Sequence, residues 1–193
     1  MKHENKEKEL EINYQNCVIP YLENFIKVVV PEDRINTIKM HITDIIKAKK
    51  NEKHHKYDCH KEEKRWFTGF CGEVAIEELL NIEFVDFSVG KSADYHIPDL
   101  KKICLNVGIK TVEYGKFPIV PKNSYRPEII ILKHSDTYYY VCGFATIEIL
   151  NKYQSDKLIL SPELAKRGTK SGFYGFQYLR CFNNLESLKK IID

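Results

Sequence analysis

The sequence predicts an α+β fold in which a central mixed sheet is flanked by helices. Apolar residues recur at helical spacing through most of the first 80 positions, and from residue 82 to residue 144 they alternate with a period of two. Helical spacing then returns near the end of the chain. Helices followed by a run of strands and then by further helices are typical of α+β proteins.

The composition is that of a water-soluble globular protein. Of the 193 residues, 43% are hydrophobic and 30% are charged, which provides a core and a polar surface. No apolar run approaches the roughly 20 residues that span a bilayer, so no membrane partner is expected. The N-terminus lacks the apolar segment of a secretory signal, and the six cysteines contain no CxxC pair. We therefore expect reduced thiols and a cytoplasmic location.

The first part of the chain predicts an N-terminal helical region over residues 1–62. After a charged start, apolar residues at helical spacing predict one helix over residues 14–30 and a second over residues 35–49. Both helices are amphipathic and have little neighbouring core material. They are interpreted as an arm that grips a substrate or packs against a second copy of the chain. A second domain is expected over residues 63–193.

The predicted sheet lies in this second domain, behind a helix over residues 63–80. The polar segment 98–102 is interpreted as the tight turn of a hairpin. Strands are predicted over residues 82–89, 94–97, 103–111, 128–134 and 138–144, and further helices over residues 146–152 and 185–192.

The predicted hairpin brings Asp94 close to Lys110. With its turn near residues 100–101, Asp94 lies opposite Gly108, which shares a strand face with Lys110. A carboxylate at this place can hold Mg²⁺, and a neighbouring lysine can orient a water molecule and stabilise negative charge. Asp99 falls in the predicted turn, so geometry favours Asp94 as the metal ligand.

Three short segments carry a resemblance to a known family. They are GEVA at residues 72–75 on a helix, SADY at 92–95 on a strand and VGIKT at 107–111 on the following strand. In order and spacing they resemble the PD-(D/E)xK nuclease superfamily, which has the restriction-endonuclease-like fold. The resemblance covers about residues 63–145. It implies Mg²⁺- or Mn²⁺-dependent hydrolysis of phosphodiester bonds, more in DNA than in RNA, as in an endonuclease of restriction, phage or mobile-element type.

The resemblance also implies roles for particular residues. Glu73 and Asp94 hold the metal with the backbone carbonyl of Ile109, and Lys110 positions the attacking water. Gly108 departs from the family pattern, because an acidic residue is expected at its position.

Glu73 is the obvious substitute for the missing acid, and Glu77 lies one turn further along the same helix. Glu113 is a weaker choice, because strand alternation places it on the opposite face from Lys110. An alternative interpretation is a catalytically inactive module of the same fold that binds nucleic acid or protein.

The remaining candidates support the metal or contact nucleic acid. His96 shares a strand face with Asp94, and Glu128 begins the next predicted strand as a supporting acid. The lysines and the arginine that are expected to contact phosphates are Lys116, Lys122, Arg167 and Lys170.

Overall fold

The computed structural model describes residues 2–49, 59–87 and 97–192. The α-helices of these residues are α1 (Lys2–Cys17), α2 (Glu32–Lys49), α3 (Cys59–Leu80), α4 (Ile147–Lys152), α5 (Pro162–Arg167) and α6 (Leu185–Ile192). The strands are β1 (Ile26–Val29), β2 (Gly108–Glu113), β3 (Ile119–Pro121), β4 (Glu128–Lys133), β5 (Tyr138–Ala145), β6 (Gln154–Ser155) and β7 (Lys170–Phe173). None of the helices in the described ranges is long and apolar enough to cross a membrane.

The main sheet is mixed and has the strand order β1-β5-β4-β2. β2 and β4 run parallel, whereas β4–β5 and β1–β5 are antiparallel pairs. β4 is buried along its whole length, which explains why its sequence is a continuous apolar run rather than an alternating one. The short strands form a second sheet in the order β3-β7-β6.

A separate core covers each face of the main sheet. On the face that we call the helical face, α2 and α3 pack over Ile109, Ile129 and Ile131. On the opposite face, called the second face, α1 and the small sheet pack over Val112 and Ile130. Because neighbouring residues of a strand point to opposite faces, these two cores assign a face to every side chain of β2.

The predicted fold class is confirmed at the level of a mixed α+β sheet flanked by helices. The structure also contains the predicted second and third helices, the last two predicted strands of the main sheet and the helices after them, with bounds shifted by at most a few residues. Thr146 caps α4, because its side chain accepts a hydrogen bond from the Ile149 amide.

The single helix predicted over residues 14–30 is wrong. The charged start is itself helical and ends at Cys17, and the short 3-10 helix Ile19–Asn24 follows with Pro20 in its first turn. The next residues form β1, which pairs with β5 at the edge of the main sheet. One core cluster therefore contains Val28 together with residues of α2 and α3.

The strand predicted over residues 82–89 is wrong for residues 82–87, which are neither helix nor strand. The Glu77 carboxylate accepts hydrogen bonds from the backbone amides of Phe84 and Val85, each at 2.5 Å. A strand ladder would need those donors, so the segment is held against the end of α3 instead.

The hairpin turn predicted at residues 100–101 is also wrong. Asp99–Ile103 is a 3-10 helix that ends at Cys104 in a left-handed conformation (φ 63°). The Leu100 amide then donates to the Val107 carbonyl at 3.2 Å, and β2 begins at Gly108 rather than at residue 103. Asp99 therefore comes beside Gly108, where the predicted register had placed Asp94. Asp94 and His96 lie outside the described residues.

Candidate active site

Glu128 occupies the space next to Gly108 at the start of the parallel strand pair. Gly108 and Glu128 are direct partners in the β2–β4 register, and Glu128 is only 5% exposed. A Cβ atom added to Gly108 would collide with the Glu128 Oε2 atom and would lie 2.7 Å from the Arg126 Nε atom. The carboxylate of Glu128 thus fills the volume into which a side chain at residue 108 would extend.

One oxygen of this buried carboxylate has a partner and the other does not. Arg126 Nε donates to Glu128 Oε1 at 3.3 Å, whereas Oε2 has no hydrogen-bond partner among the described residues. Burial raises the pKa of Glu128 and Asp99 adds to the increase, whereas the positive charges of Lys110 and Arg126 oppose it. An unpaired buried carboxylate oxygen is unfavourable, so this position suits a cation or a donor.

Asp99 joins Glu128 from the 3-10 helix that precedes β2. Its Oδ2 atom accepts a hydrogen bond from the Ile109 backbone amide at 2.5 Å, which fixes the carboxylate at the beginning of the strand. Its negative charge raises the pKa of Glu128 and also that of Glu73, so Asp99 lies near both acids. The prediction of Asp94 as the ligand depends on a hairpin turn at residues 100–101, where the structure has a 3-10 helix, and Asp94 itself lies outside the described residues.

Glu73 lies on α3 and is partly buried. Burial raises the pKa of this carboxyl to about 8, and the charges of Asp99, Glu77 and Asp86 contribute in the same direction. No positive group among the described residues opposes this increase. Glu73 is therefore an acid surrounded by acids, an environment in which a bound cation would be stabilising.

Glu73 and Lys110 start from opposite faces of the main sheet. α3 covers the helical face, where Gly72 packs directly against Thr111. Lys110 shares the second face with Val112, and its charge acts on Glu128. The charges of Lys110 and Asp99 thus both act on Glu128, and the charge of Asp99 also acts on Glu73.

Glu77 has structural partners on the helical face. Besides the two amides of residues 84 and 85, its carboxylate pairs with Arg34 of α2. It therefore joins α3, α2 and the segment after α3. Glu113, the weaker alternative, lies at the far end of β2 and accepts a hydrogen bond from Thr68 at 3.1 Å.

Several cations act on one another near the start of β7. Burial lowers the pKa of Lys170, and the positive charges of Lys110, Arg167 and Arg65 act in the same direction. We call these four residues, from β7, β2, α5 and α3, the basic surface; within it Arg65 also pairs with Glu62 at 3.6 Å. Arg167 and Lys170 were predicted to contact phosphates. Sequence reasoning missed Arg65, because one arginine in a charged helical segment carries no local signal.

Of the other two predicted phosphate contacts, Lys122 lies beside Lys170, because its backbone amide donates to the Thr169 carbonyl at 3.1 Å, but its Nζ atom pairs with Asp156 Oδ2 at 2.6 Å. Lys116 lines a separate groove formed with α1. Arg126 was also missed. It bridges the Glu128 carboxylate and the Ile97 carbonyl, which its Nη1 atom reaches at 2.8 Å.

A divalent cation fits the acidic group in its chemistry. Within residues 2–49, 59–87 and 97–192, no three side chains of the metal-binding types are arranged as a complete ligand cluster. Mg²⁺ is commonly held by one or two carboxylates, and it keeps several water ligands. Asp99 and Glu128 are two such carboxylates, and Glu128 Oε2 is the unpaired buried oxygen that a cation would satisfy.

Comparison of the chain with models of protein families, with curated proteins and with solved structures found no significant match. The function is therefore inferred from the residues of the site.

Proposed function

We propose that the chain is a Mg²⁺- or Mn²⁺-dependent nuclease of restriction-endonuclease-like architecture that hydrolyses phosphodiester bonds in DNA. The observation that supports this proposal best is the Glu128 carboxylate above Gly108, with one unpaired oxygen beside Asp99 and Lys110. In the resembling family an acid is expected at residue 108. Here a neighbouring strand provides a carboxylate in the same space.

In this proposal Asp99 and Glu128 hold the metal, and Asp94 and the Ile109 carbonyl remain candidate ligands. The bound ion would polarise the phosphodiester and lower the pKa of a water molecule. Lys110 orients that water and stabilises negative charge on the phosphate. Arg126 positions Glu128 through its Nε atom.

Glu73 contributes from the helical face. In the metal-free protein its pKa is raised to about 8, so its carboxyl can hold a proton near neutral pH, and a cation held by Asp99 would lower that pKa and favour release of the proton. A group that titrates close to the working pH is suited to proton transfer.

The basic surface supports nucleic acid as the substrate. Lys170, Arg167 and Arg65 add to the positive charge of Lys110, because the charges of Lys110, Arg167 and Arg65 all act on Lys170. Such a surface binds the phosphates of a strand whose scissile bond lies over the acidic group. Lys170→Ala should therefore weaken DNA binding and reduce its dependence on salt. Lys27→Ala is the matched control, because Lys27 is an exposed lysine of β1, at the opposite edge of the main sheet from β2.

A carboxylate exchange tests the site. The protein is assayed with Mg²⁺ or Mn²⁺ on plasmid DNA, single-stranded DNA and RNA. We expect Glu128→Gly and Lys110→Ala each to lower the cleavage rate by about 100-fold or more. Combining Glu128→Gly with Gly108→Glu returns the acid to the strand of Lys110 and should recover most of the rate. Glu148→Gln, at an exposed acid of α4, is the control.

Three outcomes would contradict the proposal. The first is that the wild-type protein cleaves none of the substrates with either metal. The second is that cleavage survives the loss of Lys110 and Glu128. The third is that the exchange variant folds but stays as inactive as Glu128→Gly. Metal-independent DNA binding without cleavage would instead support a binding module. Cleavage of RNA alone would show that the substrate is RNA rather than DNA.

A further inference from the structure

Tyr125 is an aromatic residue on the surface beside the acidic group. It is 57% exposed, which is more than any other tyrosine, phenylalanine or tryptophan that the structure describes. The guanidinium carbon of Arg126 lies over this ring, 5.7 Å from its centroid, and the Nε atom of the same arginine donates to Glu128 Oε1 at 3.3 Å. The Tyr125 ring and the Glu128 carboxylate are therefore separated by a single guanidinium group.

The residues on both sides of Tyr125 are fixed by hydrogen bonds. The backbone amide of Ser124, a buried residue, donates to Asn151 Oδ1 at 2.8 Å. On the other side, Arg126 Nη1 donates to the Ile97 carbonyl at 2.8 Å, and most of the arginine side chain is buried. An exposed ring between two fixed residues loses little conformational entropy when a flat partner packs on it.

The segment that carries Tyr125 connects the basic surface to the acidic group. At one end of this segment, the Lys122 backbone amide donates to the Thr169 carbonyl at 3.1 Å, directly beside Lys170. At the other end, the segment leads into β4 at Glu128. A polynucleotide whose phosphates contact the basic surface and then the acidic group would therefore pass close to the Tyr125 ring.

We propose that Tyr125 stacks on an unpaired base next to the phosphate at the acidic group, so that the substrate is single-stranded at the point of cleavage. This inference rests on the proposed nuclease function and adds to it the state of the substrate. Proteins that bind single strands combine a positively charged surface with aromatic side chains, because every base has a flat π face. In a duplex the neighbouring base pairs cover these faces, so Tyr125 has no base on which to stack.

The test compares the binding of three nucleic acids of equal length to the full chain. They are single-stranded oligothymidylate, an abasic strand with the same phosphates and a DNA duplex. Fluorescence anisotropy is measured at low salt in EDTA, where no metal-dependent cleavage occurs. We expect Tyr125→Ala to weaken oligothymidylate binding about fivefold or more, which is the effect of one lost stacking contact, and to leave binding of the other two unchanged. Tyr125→Phe keeps the ring and should bind all three like the wild-type protein.

Tyr138→Ala is the matched control and should change none of the three affinities. Tyr138 begins β5, and the first residues of β5 pair with the end of β4 that is farthest from Glu128.

Two results would overturn the stacking proposal. The first is that the wild-type protein does not bind oligothymidylate more tightly than the abasic strand. The second is that Tyr125→Ala leaves oligothymidylate binding unchanged or weakens binding of all three nucleic acids equally. Because binding is measured without metal, this test is separate from the cleavage assay. Cleavage of duplex DNA with Mg²⁺ and no effect of Tyr125→Ala would leave the nuclease function standing and overturn only the stacking.

Discussion

Gly108 and Glu128 are direct neighbours across the parallel strands, and the absence of a side chain at one residue makes room for the carboxylate of the other. In the sequence they are 20 positions apart. Position 108 by itself therefore lacks the acid that the nuclease resemblance implies. The pair together has a carboxylate in that space, and this carboxylate comes from the neighbouring strand.

Glu73 should make the stability of the metal-free protein depend on pH. Its pKa rises from 4.5 in the unfolded chain to about 8 in the folded one. Between these values the folded state binds more protons, so the free energy of unfolding falls as pH rises and levels off above pH 8. Glu73→Gln removes this pH dependence. Between pH 5 and pH 8.5 we expect the free energy of unfolding of the wild-type protein to fall by on the order of 2 kcal/mol more than that of the variant.

Urea denaturation in EDTA at both pH values measures this difference. Glu78→Gln is the matched control, because Glu78 lies on the same helix and is more exposed than Glu73. Its contact with Arg34 is a long ion pair of 3.6 Å. Parallel pH dependence of the wild-type protein and Glu73→Gln would contradict the prediction.

At the scale of elements, α3 crosses β2 where Gly72 meets Thr111. A Cβ atom on Gly72 would collide with Thr111 Oγ1 and would lie 2.9 Å from Thr111 Cγ2. Thr111 Oγ1 is also buried without a hydrogen-bond partner among the described residues. The glycine thus allows the helix that carries Glu73 to pack closely on the strand that carries Lys110.

A double-mutant cycle at this crossing tests the packing. Gly72→Ala should lower the free energy of unfolding by about 1–3 kcal/mol, which is the usual effect of overpacking. Thr111→Ala should recover part of that loss, since it removes two of the atoms that clash. Gly69→Ala is the control, because no atom lies within 4 Å of a Cβ there. Additive effects of Gly72→Ala and Thr111→Ala in urea denaturation would show that the two residues do not interact.

At the scale of the whole molecule, residues 2–49 contribute to the same two cores as the later described residues. β1 forms one edge of the main sheet, and the buried face of α2 packs in one cluster with α3, β4 and β5. A chain that begins at residue 63 loses this edge and this packing. We expect it to show no cooperative thermal transition, because a core of this size leaves little stability to spare.

Circular dichroism on heating measures this outcome. Addition of residues 1–62 as a separate chain should restore a transition, because it supplies the missing strand and helix. A transition of the shortened chain alone within a few degrees of the full-length protein would show that residues 63–193 fold independently.

Strongly periodic segments could be predicted from the sequence, and segments with competing hydrogen bonds could not. α2, α3, β4 and β5 have unbroken apolar patterns, and their predicted bounds agree closely with the structure. Residues 82–87 have the apolar alternation of a strand, but the distant Glu77 carboxylate takes their amide donors. A prediction from local propensity cannot include these hydrogen bonds, because the Glu77 carboxylate lies outside the segment.

The sequence alone determined the mixed α+β class and the position of Lys110 on a strand, because both depend on local patterns of side chains. Only the tertiary structure decided which acids lie near that lysine. It placed Asp99 beside Gly108 through the 3-10 helix and brought Glu128 over Gly108 through the parallel pairing. It also placed Glu73 on α3, over the helical face of the sheet, where the charge of Asp99 still raises its pKa. Strand pairing joins residues far apart in the chain, so their proximity is a property of the register and not of any one segment.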